Sequence, residues 1–269
     1  MSPFLRALHA VRGAFLWDNP WELLLDYHLL RRPDPIRLMK AGVSLTVDYR
    51  NSDMQAARDV LLDGMYDAAF KAAFDDAKMR GAFRYLNLGA NIGTFDLRAL
   101  QFAKSNRSNL SGVAVEMNTA TFARLVLNLE INRLLTICPV NAALANEDGE
   151  ITCDLDARDT GQKAGGSQEG GSPTEHFVPA VSWRTLWKNS AGQNGFDLVK
   201  VDIEGAERFF LNDITPDQAV RIRYIVIETH DSSLHALCDE KLPGLGFDLL
   251  QKEPDSPGTR VSLWRRNAN

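Results

Sequence analysis

The sequence predicts an α/β chain with a mostly parallel sheet, crossover helices and a closing antiparallel hairpin, behind an amino-terminal helical and hairpin extension. Three observations carry this. Residues 85–100 read as strand, tight turn and helix: the apolar run ending at Leu88 breaks into Gly89-Ala90-Asn91-Ile92-Gly93, and apolar residues return at Ile92, Phe95, Ala99 and Phe102. The runs 196–203 and 224–230 are short, apolar and acid-terminated, as buried parallel strands are. Finally, 247–253 and 260–265 are strand-like runs joined by Pro254-Asp255-Ser256-Pro257-Gly258, which makes a hairpin.

Composition narrows the class. With 269 residues, 45% hydrophobic and 24% charged, the chain can bury a full core and build one large α/β domain with an appendage. Thirty basic residues against 35 acidic ones give a net charge of −5, which argues against a nucleic-acid partner. Three cysteines, Cys138, Cys153 and Cys238, lie far apart without C-x-x-C spacing and suit a reducing compartment. The start has no signal-peptide pattern and no run approaches the ~20 apolar residues of a membrane span, so a soluble, cytoplasmic chain is expected.

Taken in order, residues 3–30 suggest amphipathic helices broken near Asn19-Pro20, with Phe4, Leu5, Leu8, Val11, Phe15, Trp21, Leu24, Leu25 and Leu29 as apolar positions. Packing on the main domain, a homodimer contact or membrane-surface docking would each use Trp17 and Trp21. Residues 36–50 read as two strands turning at Lys40-Ala41-Gly42, with Val43, Leu45 and Val47 on one face. Helical spacing returns over 54–78, broken at Asp63-Gly64, and this segment is placed to shape the lid of a pocket.

The glycine turn is the first candidate site. Glycines leave backbone accessible, and the amides opening the next helix can face a nucleotide-like ligand. A dinucleotide fingerprint would require glycines at 89, 91 and 94, of which only Gly89 is present; G-x-G-x-G is met at Gly89 and Gly93, with Asn91 able to adopt positive φ. Glu116 closes the strand 113–118, twenty-three positions beyond Gly93, the offset at which a second parallel strand delivers a carboxylate to ribose hydroxyls. A helix over 119–133 with Phe122, Leu125, Val126 and Leu129 buried is followed by a strand over 137–144, where Asn141 and Ala142 occupy the topological position of an adenine contact. Asp148-Gly149 suggests a hairpin turn, and the glycine-rich stretch 157–173 a mobile surface loop or substrate-gating flap.

The second candidate site is acidic. Leu198, Val199, Val201 and Ile203 form the strand, and Asp202, Glu204 and Glu207 crowd its carboxyl end; the adjacent strand brings Glu228 and His230 to the same rim. Crowded acids need solvation, hydrogen bonds or a cation. His230 is the candidate general base, with Asp202 and Glu204 as alternatives for orienting or deprotonating a hydroxyl. A subsidiary expectation is Mg2+ on Asp202, Glu228 and His230.

Asn87-x-Gly89-Ala90-Asn91-x-Gly93, Glu116 with Asn128 and Asn132, and Asp202-x-Glu204-Gly205-x-Glu207 together resemble the FkbM family of S-adenosylmethionine (SAM)-dependent methyltransferases, over residues 48–230, including Arg50-Asn51-Ser52-Asp53 and Gly64-Met65-Tyr66. The resemblance implies a Rossmann-like, seven-stranded class I methyltransferase sheet over 76–269, with 1–75 as the extension, and methylation of a hydroxyl on a small molecule such as a sugar, glycan or secondary metabolite. SAM would be held by Asn87, Gly89, Ala90, Asn91, Gly93, Glu116, Met117, Asn141, Ala142 and Asp202. Two positions depart from the family: Asn87 replaces its usual aspartate and Met117 its usual proline. An NAD-dependent oxidoreductase and a catalytically silent SAM-fold scaffold are the competing readings.

Overall fold

The structure, a computed structural model, describes residues 11–25, 35–48, 51–154, 175–191, 194–252 and 258–267. The glycine-rich stretch 157–173, Arg50 and the apolar positions Phe4, Leu5, Leu8 and Leu29 lie outside them.

After the short helix α1 (Pro20–Leu23), strands β1 (Ile36–Lys40) and β2 (Val43–Val47) pair antiparallel around Ala41 and Gly42, whose φ values of 46° and 76° make the paired left-handed turn that matches strand twist. Helices α2 (Asp53–Leu61) and α3 (Asp67–Ala77) follow, separated at Gly64 as the sequence suggests. The main sheet then begins with β3 (Ala82–Leu88), α4 (Thr94–Asn106), β4 (Asn109–Glu116), α5 (Thr119–Ile131) and β5 (Ile137–Asn141). A three-stranded side sheet comprises β6 (Ala143–Ala145), β7 (Gly149–Asp154) and β8 (Glu175–Ser182). The chain returns through α6 (Trp183–Ser190), β9 (Phe196–Val201), α7 (Glu207–Asp213), α8 (Pro216–Ala219), β10 (Ile222–Thr229), α9 (Ser232–Gly244), β11 (Phe247–Lys252) and β12 (Arg260–Arg266).

The main sheet has seven strands in the order β11-β12-β10-β9-β3-β4-β5. Neighbours from β10 to β5 run parallel, and β12 is antiparallel to both β10 and β11. The closing hairpin therefore does not simply add to the edge: its second strand inserts between β10 and β11. Because β4 and β9 lie on opposite sides of β3, the connections diverge there and leave a crevice at the strands' carboxyl ends.

Alternation divides the core. Tyr85, Leu198, Tyr224 and Val226 face one layer, which contains α2, α3 and α4, whereas Leu86, Leu88, Val199, Val201, Ile225 and Ile227 face α6, α7 and α9. Leu38, Leu45, Ala57, Phe70 and Phe74 share a cluster with Phe83 and Phe95, so the extension and the sheet are buried together.

Three expectations are corrected. The run 137–144 is not one strand: Ile137–Asn141 stays in the main sheet while Ala143–Ala145 pairs with β8. Asp148-Gly149 joins β6 to β7 without making them a hairpin, since both pair with β8; Asp148 instead accepts from the Ser182 amide and Thr185 hydroxyl, at 2.7 Å each. In the extension, Ala14, Trp17 and Leu23 are the buried residues, whereas Val11, Phe15, Trp21 and Leu25 are exposed. Phe15 and Trp21 cover each other edge to face, 5.4 Å apart, on the outside.

Two asparagines four residues apart on α5 attach the hairpin to the sheet. Asn132 accepts from the Ser44 amide at 2.9 Å and donates to its carbonyl at 2.6 Å; Asn128 does the same for Thr46, at 2.7 and 3.1 Å. Each carboxamide thus copies a strand partner, and the i, i+4 spacing matches alternate residues of β2. Asn128 also donates to the Ile92 carbonyl in the glycine turn at 2.8 Å. Asn128→Ala should lower stability by roughly 2–3 kcal/mol, because three backbone groups lose their partner in a site closed to water; urea unfolding of the two proteins checks this.

Candidate functional site

The crevice at the carboxyl ends of β3, β4 and β9 is a cleft of about 330 Å³. Its floor is the turn between β3 and α4 together with Glu116, Met117, Ala142 and Ala143; its far wall carries Lys200, Asp202, Glu204 and Glu228. Gln55, Asp59, Met65 and Tyr66 from α2 and the following turn close one side, so residues 54–78 do shape the entrance.

The turn is held open by chain-to-chain packing. Gly89 has φ 78°, and a Cβ there would lie inside the contact radius of the Asp202 carbonyl oxygen. Gly93, at φ 92°, would bring a Cβ to 3.0 Å from Leu125 Cδ1. These glycines therefore allow β9 and α5 to approach the turn, and the exposed backbone facing the cleft is a consequence. Asn91 adopts φ 50°, the positive value its side chain tolerates.

Glu116 is turned toward this bend. It is 6% exposed, with Oε2 accepting from the Asn91 amide at 2.9 Å and Oε1 from the Asn118 amide at 2.8 Å. Burial pushes its carboxyl above the usual range, while those two amides pull the other way. Two amide bonds leave lone pairs on each oxygen, enough to accept a pair of hydroxyls. Met117 and Ala142 line the cleft beside it. Asn141 does not: its amide donates to the Glu116 and Met117 carbonyls at 2.8 and 3.1 Å, so it fixes the end of β4.

Asn87 is also displaced from its expected role. It is wholly buried and donates to Asp96 Oδ2 at 2.9 Å, and Tyr85 donates to Oδ1 at 2.6 Å. Burial raises Asp96 to about 6 against these bonds. Asn87 thus neutralises no ligand charge; it supports an acid beneath the turn.

The acids of the far wall divide into two roles. Glu207 is completely buried at the start of α7, where Oε1 accepts from the Ile203 and Gly205 amides at 3.1 and 3.2 Å and meets His230 Nδ1 at 2.9 Å. Ile203 lies beyond the end of β9, in this clamped turn. Asp202, Glu204 and Glu228 instead face the cleft. His230 sits behind them, its Nε2 3.3 Å from Glu204, 3.8 Å from Asp202 and 3.9 Å from Glu228. Burial alone would lower its pKa, but the Glu207 bond and the surrounding carboxylates raise it to about 9. At neutral pH the imidazole is therefore a cation rather than the waiting base the sequence suggests. Burial and the Asp202 charge raise Glu228 to about 8.

Two residues that sequence reasoning missed complete the wall. Lys200 is 3% exposed, donates to the Gly89 carbonyl at 2.7 Å and pairs with Asp202 at 3.1 Å. Tyr66 donates to the other side of Asp202 at 3.2 Å, with the Lys200 ammonium 5.7 Å from its ring. Asp202, Glu228 and His230 do bring ligand atoms within 4.8 Å of one another. Their donor set does not suit Mg2+, because a protonated imidazole has no lone pair to give and Lys200 already faces Asp202.

In a proton NMR titration, His230 should change charge near pH 9. Glu207→Gln should lower that midpoint by at least roughly one pH unit, since a hydrogen bond to a charged group is worth about 1.5–3 kcal/mol. The folded value lies above the free imidazole value of ~6.5, so this bond stabilises the fold fully below that pH and is lost as pH rises through the folded midpoint.

The Methyltransferase FkbM domain model matches residues 87–249. No curated protein matches the chain. Among solved structures, the METTL16 MTase domain (crystal form 2) is 14% identical, with a TM-score of 0.53 over 92% of this chain and 78% of that one. M. jannaschii TYW2 in complex with AdoMet is 13% identical, with a TM-score of 0.41 over 88% of each chain. The fold of the former, with its antiparallel seventh strand, agrees with the sheet described above, and the family match spans the glycine turn, Glu116 and the acidic wall. The chain belongs to the FkbM family of SAM-dependent methyltransferases.

Proposed function

We propose that the chain transfers a methyl group from SAM to a hydroxyl of a small molecule, of the sugar, glycan or secondary-metabolite class. The carrying observation is Glu116, a buried carboxylate lining the cleft with both oxygens already aligned by amides from the turn and the next helix. Those fixed oxygens fit a ribose diol, and the backbone of Gly89, Ala90 and Asn91 with Met117 and Ala142 would hold the rest of the nucleoside. When bound, SAM supplies an electrophilic methyl on a sulfonium.

The residues of the far wall would handle the acceptor. Asp202 is fixed by Lys200 and Tyr66 and presents a rigid acceptor for the hydroxyl hydrogen bond. Glu228 faces the cleft and ionises at about 8, a value suited to receiving the hydroxyl proton near neutral pH. The oxygen forms its new bond to carbon as the proton passes to the Glu228 carboxylate. His230 stays protonated behind this group and offsets its charge, with Glu204 as a second carboxylate against the imidazolium. Much of the acceleration would come from holding the hydroxyl in line at near-attack distance.

Calorimetry with SAM tests the cofactor half. Wild type should bind and Glu116→Ala should bind at least roughly tenfold more weakly, the worth of one hydrogen bond to a charged group; equal binding would sink the assignment. Incubation with labelled SAM and a cell extract then identifies the acceptor. With that acceptor, turnover should rise with pH up to about 8, and Glu228→Gln should lower it and flatten the profile.

A further inference from the structure

At the other end of the sheet, away from the cleft, four guanidinium groups gather around a basin of about 490 Å³. Arg221 and Arg223 flank the first residue of β10, and Arg265 and Arg266 close the antiparallel β12, with Arg265 directly opposite Tyr224. Asp76 is the one carboxylate among the described lining residues, and its Oδ2 accepts from the Tyr224 hydroxyl at 2.7 Å. On a chain of net charge −5 this is a local reversal of sign.

The nearest acids do not balance it. Asp197 lies 3.5 Å from Arg223 but is also held by Arg80 and accepts from the Arg84 amide at 2.9 Å. Arg221 rests on Trp187, 5.4 Å from its ring centroid, and Arg266 donates to the Leu245 carbonyl, so both guanidinium groups are oriented by protein contacts. Each guanidinium has five N–H donors in a flat fork, more than these contacts use, and the fork matches the oxygens of a phosphoryl group. Like charges drawn together on one strand end are unfavourable unless an anion joins them.

We propose that this basin is a second binding site, for the phosphoryl group of a small soluble ligand. Five residues of β10 separate Arg223 from Glu228, roughly 16 Å along the strand, so such a ligand would not compete for the cleft. A phosphorylated acceptor held by its far end, or a separate effector, would use the same chemistry.

Calorimetric titration of the full chain with inorganic pyrophosphate at constant ionic strength decides the matter. Saturable one-to-one binding is expected, weakened at least roughly tenfold in the double variant Arg223→Gln, Arg265→Gln, with the thermal midpoint unchanged. Absence of saturable heat, or equal affinity in the double variant, would overturn the proposal, as would loss of pyrophosphate binding on saturation with SAM. Co-sedimentation with phosphatidic acid vesicles, in the absence of pyrophosphate binding, would assign the arginines to a membrane surface and likewise overturn it. None of these readouts depends on methyl transfer, so their failure is separable from failure of the O-methyltransferase reading.

Discussion

The contact between the ends of β3 and β9 governs the whole site. Gly89 lies so close to the Asp202 carbonyl that no side chain fits between them, and the Asp202 amide donates to the Leu88 carbonyl at 3.1 Å. Lys200 closes the same junction by reaching the Gly89 carbonyl from one strand while pairing with Asp202 on its own. The turn that would carry the nucleoside and the wall that would carry the acceptor are therefore one rigid unit. A shift in either would move both, and methyl transfer depends on their relative distance.

The rest of the chain braces this junction. Asp96 and Asn87 fill the space below the turn, Glu116 holds the Asn91 amide from the side, and Asn128 holds the Ile92 carbonyl from α5. The same Asn128 carries the hairpin that leads into α2 and Tyr66. Through one side chain the extension that shapes the entrance is tied to the turn that forms the floor.

Much of this was legible because it is written in local patterns. Alternation and turn residues located β1, β2, β3, β9 and β10, and acids at strand ends pointed to the rim where Asp202, Glu204 and Glu228 meet. What stayed hidden depends on pairing. Lys200 lies in an apolar run and reads as an outward lysine; only having neighbours on both sides of β9 buries it. Tyr66 meets Asp202 across 136 positions. Asn128 and Asn132 belong to the pattern that resembles the family, yet nothing local says that they replace a strand. The break after Asn141 was missed because Ala142-Ala143-Leu144 continues the apolar run while the chain changes sheets. The glycines were located correctly for an incomplete reason, since the space they free faces Asp202 and Leu125 as well as the cleft.

The charges of the far wall follow from the same packing. Burying an ion costs several kcal/mol unless partners surround it. Here Asp202, Glu204, Glu207 and Glu228 face Lys200 and His230. With His230 titrating at about 9 and Glu228 at about 8, neutral pH leaves three ionised carboxylates against two cations, a net charge of minus one. SAM carries a sulfonium, an ammonium and a carboxylate, and so a net charge of plus one. A wall with one surplus negative charge suits such a ligand, and the protonated His230 is what prevents the surplus from growing to a cost that the fold could not bear. The imidazole placed like a base thus serves better as a fixed counter-charge, which leaves the titrating carboxylate beside it to take the proton.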